Sequence, residues 1–388
     1  MMTVSQIALA ALLWPGHAVI WTVPLNWAYA QPWPKPLLRT IRAICGLIIV
    51  GLPLAFVALA QSGPWEWMQT PWQACYLFAC ALLAWMVLPI ITVRRWLRKP
   101  VAPLIAERSI IRNIAAELPE FPVPPSKARW LTKLPGNDAL RVEFSELTLA
   151  PPRLPAAWDG LTILHLSDLH LIGTPTQAYF QKVMEHVQTL GTPDLLVITG
   201  DLVDTPTHHR WLIRLLHPLR WNYGAFAILG NHDWLFDDRP IRRRLQRLGM
   251  HVIGNGMHEM TVRGEPLQIL GNEGPWFVPV PDPAKLPHGP FRLLLSHTPD
   301  NLPWAKSHHV DLMLSGHNHG GQIRIPGFGP IFVPSRFGRR YDMGTFFEPP
   351  TLMHVNRGLS GKTPLRLFCP PQVSWITLRT PAAEGTAS

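Results

Sequence analysis

The chain has 388 residues, 47% of them hydrophobic and only 15% charged, and carries a formal net charge of +10. Such a length exceeds one average domain, and so small a share of charge argues against a wholly soluble protein. The positive balance suits nucleic acid, anionic lipid or a polyanionic substrate, while Cys45, Cys75, Cys80 and Cys369 have neither metal-ligand spacing nor a disulfide framework.

No charged side chain occurs from Met1 to Pro34, and Ala43 to Trp65 and Trp67 to Val93 also lack Asp, Glu, Lys and Arg. About 20 apolar residues cross the hydrocarbon core as a helix, so spans are predicted over 6–30, 41–61 and 74–93. Pro15, His17 and Pro24 lead one to expect the first to be kinked or only partly inserted. Trp27, Trp33, Trp65, Trp67, Trp72 and Trp96 fall at the expected span ends, as an interfacial belt does. Ala28-Tyr29-Ala30 resembles a signal-peptidase site, but a basic leader is missing and the segment is expected to stay. The first connection carries Lys35, Arg39 and Arg42, the second (61–73) carries no Lys or Arg, and Arg94, Arg95, Arg98 and Lys99 follow the third span. The positive-inside rule therefore makes this a multi-pass cell-membrane protein whose remaining domain is cytoplasmic.

Prolines break up residues 100–160. Leu104, Ile111, Ile114 and Leu118 make an amphipathic stripe, expected either to lie on the bilayer or to pack as a helix on the soluble domain. Leu140 to Leu149 alternates as a first strand does. The chain thus divides into a membrane region (1–99), a Pro-rich connector with the first strand (100–160), a catalytic domain (161–380) and a disordered tail (381–388).

From residue 161, strands interleave with helices predicted over about 175–190, 207–219 and 239–249. Leu161 to Leu166 runs into Asp168-x-His170, and Asp194 to Thr199 into Gly200-Asp201-x-x-Asp204. Ala225 to Leu229 leads to Gly230-Asn231-His232-Asp233, Phe291 to Leu295 to His297, and Val310 to Leu314 to Gly316-His317-Asn318-His319. In open α/β sheets, ligands bind beyond the carboxyl ends of strands. An edge of Asp, His and Asn is a donor set for divalent transition metals. Singly, each residue has an ordinary reading as a cap, turn or core residue; five such strand ends in order are poorly explained that way. His208-His209 and His308-His309 follow no such strand and are expected at the surface, and His165 is expected to serve packing.

Together these motifs resemble the calcineurin-like metallophosphoesterase signature, and Gly320 to Pro326 with Val355-Asn356-Arg357-Gly358 resembles its YkuE/YaeI-type branch, which carries N-terminal transmembrane segments. The resemblance covers roughly 155–380. It implies an α/β fold of four layers, a β-sandwich flanked by helices, with strands near 266–270, 323–333, 351–355 and 373–378 completing the second sheet. It also implies two divalent metal ions (Mn, Fe or Zn). Asp168, His170, Asp201 and His319 would hold one, and Asp201, Asn231, His297 and His317 the other. The implied activity is hydrolysis of phosphomono- or diesters by a hydroxide shared between the metals. His232 would meet the leaving group as an acid, with Asp204 fixing its tautomer; the alternative for both is support of the ligands. Expected partners are the lipid bilayer and a phosphoester, a lipid headgroup or lipid-linked one in particular. The competing reading is a membrane-tethered nucleic-acid or lipid-binding module with structural metals. The Lys and Arg residues are scattered without a nucleic-acid motif, so no such partner is expected.

Overall fold

A computed structural model describes residues 4–59, 70–125, 128–280, 282 and 289–381. Trp65, Trp67, most of the 61–73 connection and all of the expected tail except Pro381 lie outside the described residues. The chain forms two compact units, one of Met1–Lys99 with Pro326–Gly338 and one of Pro100–Ile325 with Arg339–Ser388.

The first unit contains α1 (Val4–Tyr29), α2 (Lys35–Leu59), α3 (Pro71–Leu82) and α4 (Leu88–Trp96), the last two joined by a π-helical turn at Leu83–Val87. Three helical stretches, Ile7–Tyr29, Lys35–Ala55 and Pro71–Trp96, are long and apolar enough to cross a membrane. Pro15 and Pro24 lie inside an unbroken α1, as prolines in membrane helices can when neighbours re-satisfy the backbone. Pro53, which has no N–H to give, leaves the Ile49 carbonyl without its helical donor; Trp14 Nε1 donates to that oxygen at 3.0 Å. A second chain of bonds ties three helices. Trp21 Nε1 donates to the Tyr76 hydroxyl (3.1 Å), which meets His17 Nδ1 (2.6 Å), and His17 Nε2 meets the Ile48 carbonyl (3.0 Å). Because the carbonyl only accepts, His17 carries its proton on Nε2 and takes the Tyr76 hydrogen on Nδ1. Gly16 sits against the Cys80 carbonyl, where any Cβ would collide, the close approach that small residues allow in membranes.

Residues 326–338 correct the expected strand over 323–333. Only β11 (Arg324–Ile325) and β12 (Gly329–Pro330) are extended there, neither in the large sheets. Pro326, Pro330 and Pro334 deprive the segment of the donors a central strand needs. It groups instead with the helices. Val333 N–H donates to Asn26 Oδ1 at 3.2 Å, Phe332 packs edge-on against Tyr29, and Trp96 Nε1 donates to the Gly327 carbonyl.

The second unit carries β1 (Leu104–Asn113), β2 (Arg141–Leu149), β3 (Thr162–Leu166), β4 (Leu195–Thr199), β5 (Gly224–Ile228), β6 (His251–Val252), β7 (Met257–Val262), β8 (Glu265–Asn272), β9 (Phe291–Ser296), β10 (Leu312–Ser315), β13 (Gly344–Glu348), β14 (Thr351–Val355) and β15 (Gln372–Leu378). One sheet has the order β1-β2-β15-β3-β4-β5-β6 and the other β13-β14-β10-β9-β8-β7. The segment expected as an amphipathic stripe is therefore β1, an edge strand antiparallel to β2. Its Ile110-Ile111 pair has the β-branched character that favours a strand, and the strand beginning at Arg141 is the second.

Side chains alternate across the first sheet. Leu164, Leu166, Leu196 and Ile198 pack with α5 (Gln177–Thr189), α6 (Trp211–Leu216) and α7 (Arg239–Arg247). Ile163, Leu195 and Val197 meet Ile269, Leu293, Leu295, Leu312 and Leu314 of the second sheet. The short α8 (Leu302–Ser307) lies by β14. This is the helix-flanked sandwich expected, except that residues 373–378, expected in the second sheet, form β15 between β2 and β3 of the first. Strands β3, β4, β5, β9 and β10 all point their carboxyl ends to one edge region, where their parallel registers deliver the loops described next.

Candidate metal centre

Each of the five loops puts polar side chains where its strand stops, and the backbone there is unusual. Asp168, His170, Asp201, His317 and His319 all have positive φ, between 45° and 69°, a region that costs a residue with a Cβ. Glycines make room. A Cβ on Gly230 would strike Asp201 Oδ1, and one on Gly316 would strike Asp168 Oδ2.

The side chains converge. Asp168 Oδ1 lies 3.5 Å from His319 Nε2 and 3.8 Å from His170 Nε2, and the two imidazole nitrogens are 3.0 Å apart. Asp201 Oδ2 lies 3.5 Å from His170 Nε2 and 3.4 Å from His297 Nε2. His297 Nε2 is in turn 2.9 Å from Asn231 Oδ1 and 3.2 Å from His317 Nδ1. Asp201 thus stands between two sets, Asp168-His170-His319 and Asp201-His297-His317, each with its donor atoms within 4.8 Å of one another. A third such set, His170-Asp201-His232, joins them, so His232 also stands within reach of the centre, its Nε2 4.0 Å from Asp201 Oδ2.

The donor chemistry fits divalent cations. His297 Nδ1 faces the Thr199 carbonyl at 2.7 Å and must donate to it, and His170 Nδ1 lies 2.8 Å from Asp204 Oδ2. Each ring, once neutral, therefore has its lone pair on Nε2, facing the carboxylates, as in metal-binding histidines oriented by a backbone or carboxylate acceptor. Burial disfavours a charge on Asp168, and the neighbouring Asp201 adds to this, so its carboxyl is raised. Burial opposes ionisation of Asp201 as well, but His297 and His232 outweigh it and hold Asp201 well below the usual carboxylate range. His297 itself, despite burial, is held up at about 9 by Asp201 and Asp168. These protons occupy the places a cation would take.

Asp204 ties the centre to its rim. Its carboxylate takes His170 Nδ1 on one oxygen and His232 Nδ1 on the other. Burial would raise it, but the two imidazoles hold it low. Burial lowers His232, against the pull of Asp201 and Asp204.

The supporting residues were less visible in sequence. Asp233, fully buried, accepts from the backbone of Leu202, Val203 and Gly230 and so joins the Asp201 and Asn231 loops; burial and the Asp201 charge push it up to about 7. His165 does more than pack. Its Nε2 lies 2.9 Å from Thr199 Oγ1, which donates to Ser167 Oγ (2.8 Å), which donates to Asp168 Oδ2 (2.5 Å). Trp276 stands 4.9 Å, ring to ring, from His317. Arg366 is fully buried beside His319. His208, His209, His308 and His309 are partly or fully exposed and enter none of the donor sets.

A family model for calcineurin-like phosphoesterases matches residues 161–321. The chain is 33% identical over 255 residues to the uncharacterized metallophosphoesterase YkuE of Bacillus subtilis, covering 62% of this chain and 86% of that protein. It is 30% identical to the phosphodiesterase YaeI of Escherichia coli, over 56% of this chain and 81% of the relative. It is 28% identical to the UDP-2,3-diacylglucosamine pyrophosphatase LpxG of Chlamydia trachomatis, over 63% of this chain and 90% of the relative.

Proposed function

The chain belongs to the calcineurin-like phosphoesterases and is a metal-dependent phosphoester hydrolase, and we propose that its substrate is a phosphoester carried by a membrane lipid. The observation that carries this reading is the joining of such a centre to three helices able to cross a bilayer. Tethering to the surface that holds the substrate raises its effective concentration, whereas a soluble ester gains nothing from it. The name of the LpxG relative, a pyrophosphatase of a diacylated sugar nucleotide, supports the same class.

Asp168, His170, Asp201 and His319 would hold one divalent cation, and Asp201, Asn231, His297 and His317 the other, Mn, Fe or Zn being the ions suited to these donors. When bound, the pair supplies an activated water and neutralises phosphoryl charge. Asp201 orients both sets at once. His232, on the rim and fixed by Asp204, delivers a proton to the leaving oxygen. The unit bearing the site lies in the cytoplasm, because the basic residues after α4 favour that side.

The test is hydrolysis by the full-length protein in vesicles with Mn²⁺, with and without chelator. A phospholipid-type phosphoester and a soluble chromogenic diester are compared, and a carboxyl-terminal reporter fixes sidedness. Chelator-sensitive turnover of the soluble ester with no lipid ester cleaved would discard the lipid substrate. An external reporter would discard the cytoplasmic placement.

A further inference from the structure

One unexplained surface of the second unit is a group of exposed apolar side chains next to the residues that hold His319. Trp130 is 60% exposed, Phe368 50%, Ile325 47% and Phe121 41%. They stand on adjoining segments. Asn137 Nδ2 bonds the Leu131 and Pro364 carbonyls, Phe368 N–H donates to the Gly136 carbonyl at 2.8 Å, and Arg324 N–H donates to the Leu367 carbonyl at 3.1 Å. The metal centre is one step away, since the fully buried Arg366 reaches His319 from the same run of chain.

Two features separate this surface from the scattered apolar residues every protein exposes. Phe368 has φ 51°, a conformation that is an outlier for a bulky side chain and that persists only where the surroundings enforce it. Here the backbone bonds on either side of it enforce a half-exposed phenyl ring. The apolar group is also bordered by cations. The Arg129 guanidinium lies 4.8 Å over the Phe121 ring, and Lys133 is exposed on the same 3-10 turn as Trp130.

We propose that Trp130, Phe368, Ile325 and Phe121, with Arg129 and Lys133, form a surface that seats this unit on an anionic phospholipid bilayer. Aromatic rings with a wet edge favour the headgroup boundary, and basic residues beside them favour anionic lipid. The same chain carries three helices long and apolar enough to cross a bilayer. The proposal builds on the lipid-substrate reading: a seated unit presents its centre to headgroup phosphoesters.

The test uses the full-length protein in vesicles, with Cys75→Ser to remove the exposed native thiol and Phe368→Cys to carry a fluorophore. With phosphatidylglycerol present, the label should be shielded from aqueous iodide and quenched by lipid-borne nitroxide, and Trp130→Asp should restore iodide access. In phosphatidylcholine alone the shielding should weaken. Trp130→Asp should also lower lipid-ester turnover about tenfold, with turnover of the soluble diester unchanged. A label equally open to iodide in both vesicles overturns the proposal, as does shielding that persists in lipid-free detergent, which points to a protein contact. Lipid-dependent shielding without lipid-ester hydrolysis would uphold the surface and remove the substrate reading alone.

Discussion

Arg366 donates from Nη2 to His319 Nδ1 at 2.8 Å, the reverse of the bond by which a metal-ligating imidazole usually gives up its second proton. A guanidinium has no acceptor, so Nδ1 carries a lone pair and the neutral ring keeps its proton on Nε2, facing His170 Nε2. A cation arriving at His319 Nε2 must displace that proton. His297, held at about 9, has another to lose. Metal uptake should therefore release protons, and apparent affinity should rise with pH until His297 is deprotonated near 9. Calorimetry in buffers of differing ionisation enthalpy reads the number released; pH-independent affinity would refute the account.

Arg366→Met should reduce that number by about one. Without the guanidinium, Nδ1 can hold the proton and Nε2 can bind as an ordinary neutral imidazole. The variant also leaves the Arg357 and Ser360 carbonyls without the donors Arg366 gives them. A loss of about 1–3 kcal/mol in unfolding free energy should accompany the change. An unchanged proton count at full metal occupancy would assign Arg366 a purely structural role.

Asp201→Asn should nearly abolish hydrolysis and weaken uptake of both cations, because its carboxylate lies between the two sets. Asp168→Asn should weaken chiefly one. Metal analysis of the purified variants distinguishes them, and two full equivalents in the Asp201 variant would end the bridging assignment.

His232→Ala should slow esters with poor leaving groups by about 100-fold or more, with far less effect on activated aryl esters. Metal content should hold. Equal losses on both substrates would make His232 a positioning group, and lost metal would make it a ligand, which its place in the His170-Asp201-His232 set allows.

Legibility in the sequence followed the range of the interaction. Strand ends were readable because a buried strand is a continuous apolar run and its terminal Asp or His breaks it, as at Leu166, Thr199 and Leu314. The three helices able to cross a membrane were readable from unbroken apolar length. Asp233 was seen within its motif, yet its bonds to the Leu202 and Val203 backbone, in a loop far away in sequence, were not. Arg366 had no local signal at all, since nothing near it marks a partner 47 residues distant. The stripe at 104–118 misled because Leu104, Ile111, Ile114 and Leu118 fit a helical period. The Ser109-Ile110-Ile111 run instead joined β2. The 323–333 strand was expected from the family resemblance alone, and this chain's Pro326, Pro330 and Pro334 do not suit one.

The positive φ values of Asp168, His170, Asp201, His317 and His319 set a direction for sequence drift. Each such residue costs about 1 kcal/mol or more, and Gly or Asn would relieve much of it. A descendant released from catalysis would therefore lose these side chains early, because discarding them makes the fold firmer. Their joint presence opposes what stability alone would choose. In this architecture, decay of the metal centre runs downhill, and an intact set of five is the mark of a chain still held to its chemistry.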